Sequence, residues 1–178
     1  MHINMALRKI LTEPNDILRK KSLAVETVDD DLRKLMDDML ETMYAAPGIG
    51  LAAIQVGVPK RVIVLDISQK DGPKSPMYFV NPEIVEKSKN NSIYEEGCLS
   101  VPGQFAEIAR PDNCRLKYLD YYGKSKELNA EGMLATCIQH ELDHLEGILF
   151  IDYLSKLKKS MIVKKLSKQQ KALERIVV

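Results

Sequence analysis

Residues 131–145 read EGMLATCIQHELDHL, and Met133, Leu134, Cys137, Ile138, Leu142 and Leu145 recur along them at helical spacing. Gly147 stands just beyond, where a glycine can supply the left-handed stop of a helix. The pattern describes a largely buried helix whose second half carries His140, Glu141 and His144. Residues i and i+4 share one helix face, so both imidazoles can reach one divalent ion with the Glu141 carboxylate beside them. That arrangement suits a hydrolytic centre in which the ion keeps a position for water and the carboxylate takes the water's proton. Such a centre needs a third protein ligand. The only other histidine is His2, at the N-terminus, so the third donor is to be sought among cysteines and carboxylates.

Outward from this helix, a second one is predicted over 29–44. Asp29, Asp30 and Asp31 offer a cap and negative charge at its start, and Leu32, Leu35, Met36, Met39, Leu40, Met43 and Tyr44 follow at helical spacing. Pro47-Gly48-Ile49-Gly50 then opens a segment that cannot be helical. Arg61 to Ile67 and Tyr78 to Val85 are β-branched runs, with Pro82 marking an edge or a bulge in the second. Residues 114–121 and 125–130 suggest a hairpin turning at Tyr122-Gly123-Lys124. Residues 156–175 form a lysine-rich amphipathic pattern with Leu157, Met161, Leu166 and Leu173 along it. Strands precede helices without a βαβ rhythm, which predicts an α+β fold. The expected architecture is mixed and antiparallel strands around a central metal-binding helix, closed by an amphipathic C-terminal helix.

The chain has 178 residues, 45% of them hydrophobic, enough for one compact domain over 1–178. A net charge of +1 gives no bulk case for nucleic acid or membrane binding, but the charge is uneven. Residues 153–178 hold seven lysines and Arg175 against Glu174 alone, a net +7, which leaves −6 on residues 1–152. Three cysteines in no regular framework, no secretory apolar segment at the start and no membrane-length apolar run point to a reduced, cytoplasmic protein.

Candidates for the third ligand differ in setting. Glu146 is too near on the same helix to converge, and Glu174 lies within the lysine-rich pattern. Cys137 is about 10.5 Å of helical rise from His144, which suits the wall of a site better than its centre. Cys114 reads as a half-buried apolar residue of a strand. Cys98 lies in Glu96-Gly97-Cys98-Leu99-Ser100-Val101-Pro102-Gly103, a loop whose glycines allow close approach and tight turning, and a thiolate there is a plausible ligand. A third unusual segment is Gly48-Ile49-Gly50-Leu51-Ala52-Ala53-Ile54-Gln55. It lacks the pattern of a nucleotide loop; it is either a tight entry to a strand or a small-residue track in which the Gln55 amide donates to a developing oxyanion.

These three segments together resemble peptide deformylase. That family carries Gly-x-Gly-Leu-Ala-Ala-x-Gln, Glu-Gly-Cys-Leu-Ser and His-Glu-x-Asp-His motifs, found here in the same order at 48–55, 96–100 and 140–144. An early Pro14-Asn15-Asp16-Ile17-Leu18-Arg19 segment and the long C-terminal helix are similar to the bacterial and organellar type without an internal insertion. The resemblance implies a metal-dependent hydrolase that takes the formyl group from the formyl-methionine of newly made polypeptides and releases formate. It implies that Cys98, His140 and His144 bind the metal, and that Glu141 moves a proton from the attacking water to the leaving amine. Gln55 and the Leu99 N–H would stabilise the oxyanion, while Gly50 and Gly97 would meet the substrate backbone. The methionine side chain would enter an apolar pocket near Ile49, Met133 and Cys137, with Tyr94 and Phe105 at its rim. Glu96 would pair with Arg110 to fix the cysteine loop. The donor set suits Fe2+, Zn2+, Ni2+ or Co2+, with Fe2+ expected in the cell. The expected enzyme is a monomer without membrane contact whose basic helix either packs with a solvated face or docks on the ribosome.

Overall fold

The computed structural model describes residues 6–176, so His2, Val177 and Val178 lie outside the described residues. Helix α1 spans Asp30–Ala45 and begins where the Asp29 carboxylate accepts the Leu32 N–H at 2.9 Å. Asp29 is thus the cap rather than the first helical residue, and Asp30 and Asp31 place negative charge at the positive end of the helix dipole.

Seven strands follow: β1 Gly50–Ala52, β2 Val62–Leu65, β3 Met77–Lys87, β4 Asn91–Cys98, β5 Val101–Pro111, β6 Asn113–Leu119 and β7 Ser125–Glu131. They form a five-stranded sheet in the order β1-β2-β3-β6-β7 and a separate β4-β5 pair. The architecture is α+β, and all these pairings are antiparallel; a single isolated bridge between Leu23 and Lys60 is parallel.

Strand β2 explains how the layers assemble. All four of its residues are buried because each face of the sheet is covered. Val62 and Val64 pack with Leu32, Leu35, Met36, Met39 and Met43 of α1. Ile63 and Leu65 face the other way, onto Ala135, Ile138 and Leu145 of helix α2, Gly132–Leu145. Each such side chain contributes about 1.5–3 kcal/mol on burial, so α2 is held against the sheet by its apolar stripe. Its opposite side carries His140 and Glu141 toward the β4-β5 pair.

Local polar chemistry trims the expected strands. The predicted 61–67 run ends at Leu65 because the Asp66 side chain accepts from the Ser68 and Ser75 N–H groups and the Tyr44 hydroxyl, turning the chain. The predicted hairpin arm ends at Leu119 because Asp120 accepts from the Tyr122 and Lys124 N–H groups, with Gly123 at φ 80°. Pro82 sits where the β3-β6 register shifts between Val80 and Glu83, as a residue without an N–H requires.

Two expectations need correction. The Glu96–Gly103 segment is not a loop: Glu96 to Cys98 end β4, Val101 to Gly103 begin β5, and only Leu99 and Ser100 turn between them. Helix α3, Lys156–Ile176, buries Leu166 but leaves Leu157, Met161 and Leu173 more than 60% exposed. Its inward stripe is Ile162, Val163 and Leu166, packed on a cluster with Val101, Ile108, Leu149, Phe150 and Ile151. No helix among the described residues is long and apolar enough to cross a membrane.

Candidate metal centre

Helix α2 sets two imidazoles on one face, with ring centroids 5.1 Å apart, and both histidines are buried. Glu96 Oε1 lies 2.8 Å from His140 Nδ1, which leaves Nε2 of that ring to face the centre. His144 presents its Nε2 at 3.3 Å from Cys98 Sγ. The register shift between Gly97 and Cys98 re-aims the cysteine at the end of β4, as bulges beside functional groups do. The Ser100 N–H points back to Cys98 Sγ at 3.4 Å and helps fix the position of the sulfur.

Cys98, His140 and His144 offer ligand atoms that all lie within 4.8 Å of one another. Tetrahedral zinc with its usual bond lengths would hold a sulfur and a nitrogen about 3.5 Å apart, close to the Cys98–His144 separation. Glu141 is buried beside them and its Oε2 has no hydrogen-bond partner among the described residues, a costly state for a carboxylate unless something enters the site. The donor set therefore fits a divalent ion with an open position.

Gln55 comes from the short 3-10 turn Ala53–Val56 that follows β1. Its Oε1 accepts the Ala52 N–H at 2.9 Å, which fixes the amide so that Nε2 donates to Ser100 Oγ at 3.0 Å and points at Cys98 Sγ, 3.6 Å away. A β-carbon on Gly50 would meet Glu141 Oε1 at 2.5 Å, so glycine keeps clear the space in front of that carboxylate.

Charge behind the donors is arranged in a chain. Arg110 holds Glu96 with two hydrogen bonds of 2.6 and 2.9 Å, and both side chains are buried. Burial alone would raise the Glu96 carboxyl, but His140 and Arg110 hold it below its ordinary range. Burial, and then the neighbouring His140 and Arg110, push the His144 imidazole well down, whereas the burial of His140 is outweighed by Cys98 and Glu96, which raise it well above its ordinary value. Burial pushes Glu141 up to about 7, with His140 opposing and Glu96 adding to the rise.

A cavity of about 490 Å³ opens onto this centre. Gln55, Gly97, Cys98, Leu99, His140 and Glu141 line it. Ile49, Gly50, Met133 and Cys137 line it as well, as do Tyr94 and Phe105. His144 and Arg110 stand behind that surface. Burial drives the Cys137 thiol up to about 12, in keeping with a wall residue rather than a ligand, and Cys114 is buried in the core.

The model of the polypeptide deformylase family matches residues 7–160. The chain belongs to the polypeptide deformylase family. A peptide deformylase of Pelagibacter ubique is 69% identical over 164 residues, covering 92% of this chain and 95% of that one. The peptide deformylase of Phenylobacterium zucineum is 60% identical, covering 94% and 99%. Among solved structures, peptide deformylase from Ehrlichia chaffeensis in complex with actinonin superposes with a TM-score of 0.89 at 44% identity, covering 93% of this chain and 98% of that one. The chain is thus a deformylase-type hydrolase, and the divalent metal used by that family has a Cys/His/His cluster to receive it.

Several groups around the deformylase centre escaped the sequence reading. Asp143 accepts from Arg110 Nη1 and from the Tyr153 hydroxyl, each at 2.8 Å. The Phe150 ring stacks on His140 at 6.3 Å, and Ser100 anchors Gln55. Asp143 shares the motif helix and was open to inference from its i+3 spacing to His140. Tyr153 and Phe150 carry no local signal, because only the chain's return past α2 brings them there.

Proposed function

We propose that this protein removes the N-formyl group from the formyl-methionine at the start of newly made polypeptides. The observation that carries the reading is the convergence of Cys98, His140 and His144 beside a buried, unpartnered Glu141 at the end of a peptide-sized cleft. A divalent ion held by those three residues would polarise the formyl oxygen and make the attacking water more acidic. Glu141 takes the proton of that water as its oxygen bonds to the formyl carbon. The carbon–nitrogen bond then breaks, and Glu141 passes the proton to the nitrogen, so the products are formate and a free amine. Gln55 Nε2 and the Leu99 N–H donate to the oxyanion. Gly50 and Gly97 admit the peptide backbone, and the methionine side chain lies against Ile49, Met133 and Cys137. Glu96, held by Arg110, orients His140. Ferrous iron is the proposed ion in the cell, and zinc, nickel or cobalt suit the same donors.

The test is formate release from formyl-Met-Ala-Ala by the metal-loaded protein. Formate with free Met-Ala-Ala is expected; cleavage of the Met–Ala bond instead would make the protein a peptidase. The enzyme is proposed to act as a cytoplasmic monomer, since Cys98, His140, His144, Glu141 and Gln55 converge without help from a second copy. The lysines of α3 are proposed to dock on ribosomal RNA, supported by an exposed helix with a net charge of +7. Replacing Lys164, Lys165, Lys168 and Lys171 with alanine should weaken salt-sensitive ribosome binding, and unchanged binding would dispose of the idea.

A further inference from the structure

The Phe150–Tyr153 3-10 turn meets the candidate metal centre at one end directly and at the other through intermediaries. Phe150 stacks on the His140 ring. Tyr153 reaches the same histidine through intermediaries. An ionised carboxylate only accepts, so the Tyr153 hydroxyl donates to Asp143 Oδ2 at 2.8 Å, the oxygen that also accepts from Arg110 Nη1. The Tyr153 ring lies 4.9 Å from the Arg110 guanidinium carbon, so hydroxyl and ring together hold both partners.

The geometry makes this closed triangle consequential. A guanidinium is planar and its donors form a rigid fork. Arg110 spends Nε and Nη2 on Glu96 and Nη1 on Asp143, so its plane is set only if both carboxylates stay in place. Glu96 Oε1 lies between Arg110 Nη2 at 2.9 Å and His140 Nδ1 at 2.8 Å, so any tilt of the fork is passed to the imidazole. Glu96 and Arg110 are packed on all sides, whereas the Asp143 side chain is 19% exposed. Asp143 is the member with freedom to leave, and the Tyr153 hydroxyl restrains it.

We propose that Tyr153 is a positioning residue of the metal centre, holding the His140 imidazole in line through Asp143, Arg110 and Glu96. The inference rests on the reading of Cys98, His140 and His144 as the metal ligands. Tyr153→Phe keeps the ring and removes only the hydroxyl; Tyr153→Leu removes both. Partners in direct contact with a metal ligand are worth ten- to a hundredfold in metal affinity, and a residue further along the chain should be worth less, about threefold to tenfold.

The measurements are the rate at which a chelator strips cobalt from the Co2+-loaded protein and the visible absorption bands of that protein. Tyr153→Phe is expected to release cobalt about threefold to tenfold faster and to shift the bands, with an unchanged melting temperature in the metal-free form. Tyr153→Leu should release it faster still. Combined with Asp143→Asn, the hydroxyl's loss should add little, because both act through one path. Wild-type bands and release rate in Tyr153→Phe, or a full additive effect in the double variant, would overturn the proposal. A wild-type protein that holds no cobalt would instead refute the ligand assignment, and this proposal with it.

Discussion

Glu141 shows how far burial moves an ordinary carboxyl. Taken out of water beside the histidines, its carboxyl rises to about 7, a direction that suits the proposed role of taking and returning a proton. Glu141→Gln keeps the shape and removes the base; formate release should fall by about 10²- to 10⁴-fold while metal content by elemental analysis stays at the wild-type level. Asp66 illustrates the opposite outcome. Burial works to raise it, but hydrogen bonds from Ser68, Tyr44 and Ser75 outweigh burial and hold the carboxyl at about 2. Its folded value lies below the ordinary value of about 3.9, so the group stabilises the fold at neutral pH, and that contribution is lost as pH falls from about 4 through 2. Asp66→Asn should lower the urea midpoint at pH 7, by about 1–2 kcal/mol in stability, and flatten the decline between pH 4 and 2. An equal loss at both ends of that range would mean that the charge is not responsible.

At the scale of elements, β1 and the β4-β5 pair meet α2 across the cleft. Gly50 in β1 leaves no room for a methyl group between Glu141 and Leu65. Gly50→Ala should therefore displace Glu141, cost about a hundredfold in turnover and lower stability by about 1–3 kcal/mol, as steady-state assays and melting curves would show. The elements differed in legibility for physical reasons. Helix α1 was readable because one continuous face packs on one sheet, and its apolar residues repeat with a clean helical period. Strands β4 and β5 were not, because they form a two-stranded ribbon with one open face, where Ile93, Glu95, Phe105 and Glu107 meet solvent and blur the alternation. Two glycines and a proline beside Cys98 added turn signals to what is a bulged hairpin end. In α3 the apolar stripe was misplaced, since Leu157, Met161 and Leu173 satisfy the same period as Ile162, Val163 and Leu166 and only the neighbouring cluster chooses between them.

For the whole molecule, the candidate metal centre would join parts that no strand pairing connects. Cys98 belongs to the two-stranded β4-β5 pair, while His140 and His144 ride on the helix packed against the five-stranded sheet. A bound ion therefore ties the two sheets together, and its binding free energy adds to the stability of the fold. Adding a chelator should lower the melting temperature of the metal-loaded protein, and Cys98→Ala should abolish most of that difference. A melting temperature indifferent to chelation would argue that the sheets are held by packing alone.

The spacing in the sequence puts the two histidines and Glu141 together along one helix whatever the fold, since an i, i+4 relation is local and survives any tertiary arrangement. The sequence by itself also determined the deformylase resemblance, because three ordered motifs are legible without coordinates. The tertiary structure brought Cys98, which the resemblance had already named, beside those histidines and put Cys114 in the core, across a separation of 42 residues from Cys98 to His140 that nothing local measures. It alone decided that Asp143 and Tyr153 extend the Glu96–Arg110 pair, since a buried guanidinium takes whatever acceptors the packing brings to its fork.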